Sequence, residues 1–295
     1  MALAREEVLA HYQKEEVAYA IWSFARNRWV GIHCAPANER RMLLRYLPGQ
    51  GHPLALASPE DVPALLLRFS HLGPRTFYAT ALEYRSLSRS ELLRPENWVS
   101  CMPTWDIDAA SPEWRHVVEA GLRLLELLRG LGIERSLIVK WSGRGLHVHL
   151  HPGALDWNMP GVHPLDVAYA VTEYVLKRLE GEGLKGVRVE NKMDPQRLFT
   201  CPLSLHRELD RVAVCIEPSE LRSFDVRWTL PGSYSHYKQW NSFVPLEAQP
   251  LQRRALELIG HYPIRPRRGR RHPPLDEQIR RKQMELGDER AREKS

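Results

Sequence analysis

The chain has 295 residues, 43% of them hydrophobic and 26% charged, with a formal net charge of +6, the composition of a globular protein with one large core or two small ones. No apolar run approaches the roughly 18 residues that span a bilayer, and the first residues lack the basic and apolar regions of a secretory leader, which excludes a membrane partner and points to the cytoplasm, in contact with the nucleoid. Cys34, Cys101, Cys201 and Cys215 form no Cys-x-x-Cys pair, so neither a structural zinc nor a disulfide framework is expected.

Residues 5–25 read as helix and 28–34 as a strand, and residues 59–69 as a short helix capped by Ser58. Residues 99–108 form an extended segment ending Trp105-Asp-Ile-Asp108. Ser111, Pro112 and Glu113 then supply an N-cap, an N1 proline and an acidic first turn. The helix they open carries apolar residues at Val118, Leu122, Leu125 and Leu128, and Gly130 and Gly132 stop it after Arg129. A β-type run follows over 136–141, then a tight loop from Ser142 to Gly145, a strictly alternating strand over 146–151, a helix over 165–179 and a last strand over 197–201. The order is β-α-β-β-α-β, an RNA-recognition-motif-like unit covering about 99–202 within an α+β fold whose sheet is mixed or antiparallel. Its first and third strands are neighbours, which brings Asp106 and Asp108 beside His147 and His149. Residues 1–262 are expected to form one domain and residues 263–295 a flexible tail.

Three places carry chemistry. Asp106 and Asp108, two apart on a strand, point to one face and offer hard oxygen donors of the kind that hold magnesium or manganese; an acidic strand end is the plainer reading. In Ser142-Gly-Arg-Gly-Leu-His147 the glycines let the backbone approach an anion, while Ser142 and Arg144 add a hydroxyl and a fixed cation, as in a triphosphate cradle. His147, His149 and His151 share the polar face of the next strand, as the residues of an ordinary solvent-facing strand also do. Asp194-Pro-Gln-Arg197 precedes the last strand and Ser204-Leu-His206 follows it; alone, these read as a turn and a cap. The tail holds 11 Arg or Lys against 6 Asp or Glu, and Arg265, Arg267, Arg268, Arg270 and Arg271 in it suit a phosphate backbone or simply solubilise the chain.

At these three places the sequence resembles the archaeo-eukaryotic primase superfamily. That family closes a hydrophobic strand with Asp-x-Asp, follows Ser-Gly with a basic residue and His, and completes its metal site with a further Asp. The run from Asp194 through Arg197-Leu to Pro202 and Ser204-Leu-His206 is similar to the small catalytic subunit of archaeal primase, and residues 76–84 look like the strand before the first motif. The resemblance implies a primase catalytic fold. It implies that Asp106, Asp108 and Asp194 are catalytic and bind two Mg2+ or Mn2+ ions, and that Ser142, Arg144, His147, Arg197, Ser204 and His206 contact the nucleotide. It also implies a DNA template and primer, NTP or dNTP substrates and a second subunit or other replication or repair partner. The chain departs from archaeal primases in a glycine loop one residue shorter, in Glu208 where they carry a lysine, with Arg207 and Arg211 on either side, and in having no cysteine cluster for their zinc module.

The expected activity is templated nucleotidyl transfer by a DNA primase or primase-polymerase, with end joining or gap filling as the alternative within the same family. Two other classes stay open. A replication-initiator nuclease would use His147-Val-His149 for a metal and Tyr169 or Tyr174 as nucleophile. A non-catalytic nucleic-acid-binding subunit would use the sheet as a platform, though such platforms carry aromatic residues where this chain has Asp and His.

Overall fold

The computed structural model describes residues 3–37, 40–109, 113–180, 184 and 186–263. Ser111, Pro112 and the tail arginines Arg265, Arg267, Arg268, Arg270 and Arg271 lie outside them. The chain begins with α1 (Arg5–Tyr12) and α2 (Glu15–Ala25), two helices where the periodicity suggests one. The division falls at Lys14, whose backbone is extended (φ −67°, ψ 128°), and Glu15 and Glu16 open the second helix with the charge its N-terminus favours. Strands β1 (Arg28–Ala37) and β2 (Arg40–Leu44) come next, then α3 (Asp61–Arg68), β3 (Pro74–Tyr84) and β4 (Trp98–Cys101). The cap of α3 differs from expectation: Ser58 and Ala57 donate their backbone N–H groups to the Asp61 carboxylate, at 3.1 and 2.6 Å.

The second half runs β5 (Thr104–Ala109), α4 (Trp114–Gly130), β6 (Leu137–Trp141), β7 (Leu146–Leu150), α5 (Pro164–Leu179), β8 (Val187–Asn191), β9 (Leu198–Thr200), β10 (Val214–Ile216) and α6 (Gln249–Ile259). The strands form two antiparallel sheets. One is ordered β2-β1-β3-β4, with β9 also on β3; the other is ordered β10-β6-β7-β5-β8. In the second sheet β5 and β7 are neighbours, as the β-α-β-β-α-β reading requires, and the fold is α+β with antiparallel sheets.

Two expected strands are placed differently. The extended segment 99–108 is divided at Met102-Pro103: Met102 donates its N–H to Ala81 in the first sheet, and the Pro103 carbonyl accepts from Leu150 in the second. Proline has no N–H to continue a ladder, so the chain changes sheets there. The fourth strand of the RNA-recognition-like unit is β8, whereas the segment 197–201 contributes β9 to the first sheet, pairing Tyr78 with Thr200 and Thr80 with Leu198. Between them Arg197 donates to the Asp194 carbonyl at 3.2 Å, a turn that carries the chain away from β8.

Alternation along β5 and β7 then sorts the side chains. Trp105, Ile107, Leu146, Val148 and Leu150 are fully buried, and α4 and α5 pack on this sheet; Trp105 Nε1 donates to the Thr172 carbonyl of α5 at 3.1 Å. Each such aliphatic or aromatic side chain contributes about 1.5–3 kcal/mol. The opposite face is covered as well: the Phe199 ring of β9 lies 5.3 Å from both His147 and His149, and Phe24 of α2 lies 5.9 Å from His149. The histidine face of β7 is therefore enclosed between the sheets and not a solvent-facing strand surface. Among the described residues no helix is long and apolar enough to cross a membrane.

Candidate active site

Asp106 stands directly opposite His147 in the β5–β7 ladder and opposite Glu190 in the β5–β8 ladder. Its carboxylate is 8% exposed and meets three basic side chains: His147 Nε2 at 3.2 Å, Lys192 Nζ at 2.6 Å and Arg197 Nη2 at 3.6 Å. Lys192 also reaches Asp108 and Glu190, each at 3.1 Å, so three carboxylates surround one ammonium. Burial alone would raise the pKa of Asp106, but His147 and Lys192 outweigh it and hold the carboxyl well below the usual range. Burial likewise works against the Lys192 charge, and Asp106, Glu190 and Asp108 more than offset it, raising the lysine above its ordinary value. His147 Nδ1 and Arg197 Nε are buried and have no hydrogen-bond partner among the described residues. Buried polar atoms are normally paired, so these two stand out, and the neighbouring Asp108 carboxylate is 51% exposed.

The Ser142–Gly145 loop joins this cluster through its glycines. Ser142 closes the loop on Gly145, its N–H donating to the Gly145 carbonyl at 2.8 Å and its hydroxyl at 3.1 Å. A Cβ on Gly145 would sit 2.5 Å from both an Asp108 carboxylate oxygen and the Ile107 carbonyl, and one on Gly143 (φ +124°) would strike the His206 ring. No other residue fits at either place. Loop, aspartate strand and Ser-Leu-His segment are thus in van der Waals contact. His206 accepts from the N–H groups of Glu208 and Leu209 through Nδ1, at 3.1 and 3.0 Å, and burial, with Arg144 and Arg207 near, lowers its pKa to about 4. The imidazole is therefore neutral at neutral pH. Arg144 is 62% exposed and pairs with Glu208 at 3.1 Å, while Arg207 lies 3.5 Å from the same carboxylate, so the position that departs from archaeal primases ties the loop to the following turn.

No protein-family model matches the chain, and no curated protein does. Solved structures do. The polymerase domain of Mycobacterium tuberculosis Ligase D, determined in complex with DNA, is similar over 88% of this chain and 90% of that one. The TM-score is 0.55 and the sequence identity 13%, a likeness of fold.

Within that fold the remaining candidates separate. Asp194, on the loop after β8, uses its carboxylate to accept the Gln196 N–H at 2.7 Å, closing a turn. Ser204 is fully buried and accepts the Phe77 N–H at 2.8 Å, with Tyr12 Oη at 3.1 Å; its hydroxyl serves the core, not the cluster around Asp106. His149 is also fully buried. The Thr104 hydroxyl donates to Met102, leaving His149 Nδ1 to donate to Thr104 at 2.8 Å, and burial, with Lys140 and His147 adding, keeps the ring neutral. The four cysteines are buried free thiols.

Two residues of the cluster, Glu190 and Lys192, escape the motif reading. The alternation Val187-Arg-Val-Glu190 is a strand signal that places Glu190 beside Asp106 once β8 is recognised; nothing local marks Lys192. Among the described residues no three His, Cys, Asp or Glu side chains stand as a preformed metal cage. Asp106, Asp108 and Glu190 are gathered around the Lys192 ammonium. Carboxylate oxygens converging on a cation are nonetheless the donor set that magnesium or manganese takes, and in that respect these residues fit such an ion.

Proposed function

We propose that the chain is a template-directed nucleotidyltransferase, a DNA primase or primase-polymerase that adds NTPs or dNTPs to a 3'-hydroxyl. The observation that carries the proposal is the meeting of three distant motifs at one point: Gly145 against Asp108, Gly143 against His206, and His147 on Asp106. Asp106 and Asp108 would hold the divalent ions, with Asp194, just beyond Lys192, as the third carboxylate that the primase resemblance assigns. Bound there, two Mg2+ or Mn2+ ions would lower the pKa of the attacking hydroxyl and offset charge on the departing pyrophosphate. The backbone of residues 142–145 and the side chains of Ser142, Arg144, His147, Arg197 and His206 would position the triphosphate. Phe199 and Phe24 close the inner side of the sheet against water.

The DNA partner follows from the same reading and is supported by the DNA-bound polymerase of similar fold; the tail arginines would add phosphate contacts, and a second subunit or repair partner could supply template grip. End joining or gap filling would use the same site on broken or gapped DNA. The initiator-nuclease reading loses support, because Tyr169 and Tyr174 belong to α5, across the sheet from the histidine face, and His149 is sealed in the core. The binding-platform reading loses support because Phe199 and Phe24 cover that face.

The test is extension of a primed DNA template, beside priming of a bare single strand and filling of a gapped duplex, with NTPs or dNTPs in magnesium or manganese. Wild type should make product on at least one substrate and the Asp106→Ala/Asp108→Ala double variant none. Equal product from both proteins, or none from either on any substrate, would refute the proposal.

A further inference from the structure

Among the described residues Lys192 is the one cation that touches all three carboxylates of the cluster, and its setting separates a fixed backbone from a movable head. On one side Asn191 is tied down, its amide nitrogen donating to the Tyr169 carbonyl at 3.3 Å and to Glu173 at 3.1 Å, and its oxygen accepting the Met193 N–H at 3.1 Å. On the other, Met193 is buried in the core. The backbone at 192 is therefore held at the end of β8, while the side chain is a flexible four-carbon stem, 24% exposed, with a compact charge at its tip. The ammonium stands 2.6 Å from Asp106 and 3.1 Å from Asp108 and Glu190.

A divalent ion bound by the same oxygens would need this place, with the carboxylates drawn in to about 2.1 Å. Three carboxylates so close repel one another unless a cation stands among them, and here the chain supplies its own. Two positive charges cannot share the place, so an entering ion must drive the lysine out. The cost falls when the ion arrives with a triphosphate, whose oxygens can accept the displaced ammonium and can also accept from Arg197, whose Nε has no partner among the described residues. Arg197 fits this exchange poorly as a plug, since of the three carboxylates it reaches Asp106 alone among the described ion pairs, at 3.6 Å.

Resting on the nucleotidyltransferase reading, we propose that Lys192 is a displaceable internal cation: it holds Asp106, Asp108 and Glu190 together without metal, blocks divalent-ion binding to the free protein, and yields when ion and nucleoside triphosphate bind together. Glu190 is the positioning residue that draws the ammonium to this place. The arrangement makes metal loading dependent on nucleotide and keeps the free protein from holding a hydrolytically active ion.

The experiment titrates Mn2+ into the full chain and reads free ion by electron paramagnetic resonance, with and without a non-hydrolysable nucleoside triphosphate, for wild type, Lys192→Gln, Lys192→Arg and Asp106→Asn/Lys192→Gln. Without nucleotide, K192Q should bind Mn2+ at least about tenfold more tightly than wild type, since a neighbouring positive charge is gone. K192R should match wild type, and the double variant should lose the gain. Nucleotide should tighten Mn2+ binding far more in wild type than in K192Q. Thermal melting gives a second reading: K192Q should melt lower than wild type without metal, and Mn2+ should raise its melting temperature by more. Equal Mn2+ affinity of wild type and K192Q, both dependent on Asp106, would overturn the role of Lys192 and leave the proposed function standing. Absence of Asp106-dependent Mn2+ binding in every protein, even with nucleotide, would instead overturn the functional reading itself.

Discussion

The inner face of the second sheet has two ends that look alike in sequence and behave oppositely in the folded chain. At one end His147 meets Asp106, with Lys192 and Arg197 around the same carboxylate and the exposed Asp108 beside it. At the other, His149 and Lys140 are both fully buried; Lys140 Nζ has no hydrogen-bond partner among the described residues and lies 4.1 Å over the Phe24 ring. Lys140 is the cross-strand neighbour of His147 and also of Cys215, so little more than one residue spacing separates a charged, open cluster from a sealed one. The lesson is that alternation assigns a face, and the cover over that face decides whether a basic residue can meet a ligand.

The largest effect that can break this comparison is on catalysis. His147→Ala should lower nucleotidyl transfer about 100-fold, the scale of losing a positioned donor, with a melting temperature near that of wild type. His149→Ala should do the reverse, lowering stability by about 2 kcal/mol in urea unfolding while nucleotide KM stays put. If the two variants lose activity equally and neither loses stability, the two ends are not different in kind. Gly145→Ala sharpens the same point from the loop side. Its Cβ would meet the Ile107 carbonyl as well as Asp108, and a backbone oxygen cannot step aside, so both stability, by about 1–3 kcal/mol, and activity should fall. An active, fully stable G145A would show that the loop does not need to press on the aspartate strand.

The order β-α-β-β-α-β was legible from period and spacing within short segments, and the meeting of β5 with β7, which brings Asp106 to His147, followed from that order because the first and third strands of such a unit are neighbours. Long-range partners were less so. Pro103 is a visible sign that the extended run 99–108 cannot continue as one strand, but which sheet each half joins depends on Ala81 and Leu150, far away in sequence. The strand before Cys201 was recognised, while its transfer to β3 depends on the Asp194–Arg197 turn. Ser204 reads like a ligand contact in a motif and is in fact a core tie to Phe77 and Tyr12, since a buried hydroxyl must find partners wherever packing puts it. Glu190 and Lys192 reach the Asp106 cluster only through the register of β8.

The smallest effect concerns Lys140 alone. Burial lowers its pKa from 10.5 to about 8. Between those values the unfolded chain carries more protons than the folded one, so this lysine makes stability rise with pH through that window, and below pH 8 it imposes a constant penalty. Cys201 and Cys215, pushed up to about 12 by burial, act the other way above their ordinary value of 9, so the difference between wild type and Lys140→Met isolates the lysine. K140M should be more stable than wild type by about 1–3 kcal/mol at pH 7, and the gap should close toward pH 10.5. A gap that does not change with pH would mean that the pKa of Lys140 is the same in the folded and unfolded chain, so that burial does not penalise its charge.

The most direct test of the central claim is metal-dependent binding of a nucleoside triphosphate, followed by calorimetry in Mn2+ with wild type and Asp106→Asn, an isosteric change that removes one charge and keeps the packing. Wild type should bind the nucleotide only with the ion present, and D106N should lose that binding while melting as a folded protein. Nucleotide binding that is the same with and without Mn2+, and the same in both proteins, would show that the meeting of Asp106, Asp108, His147 and the glycine loop is not a nucleotide–metal site.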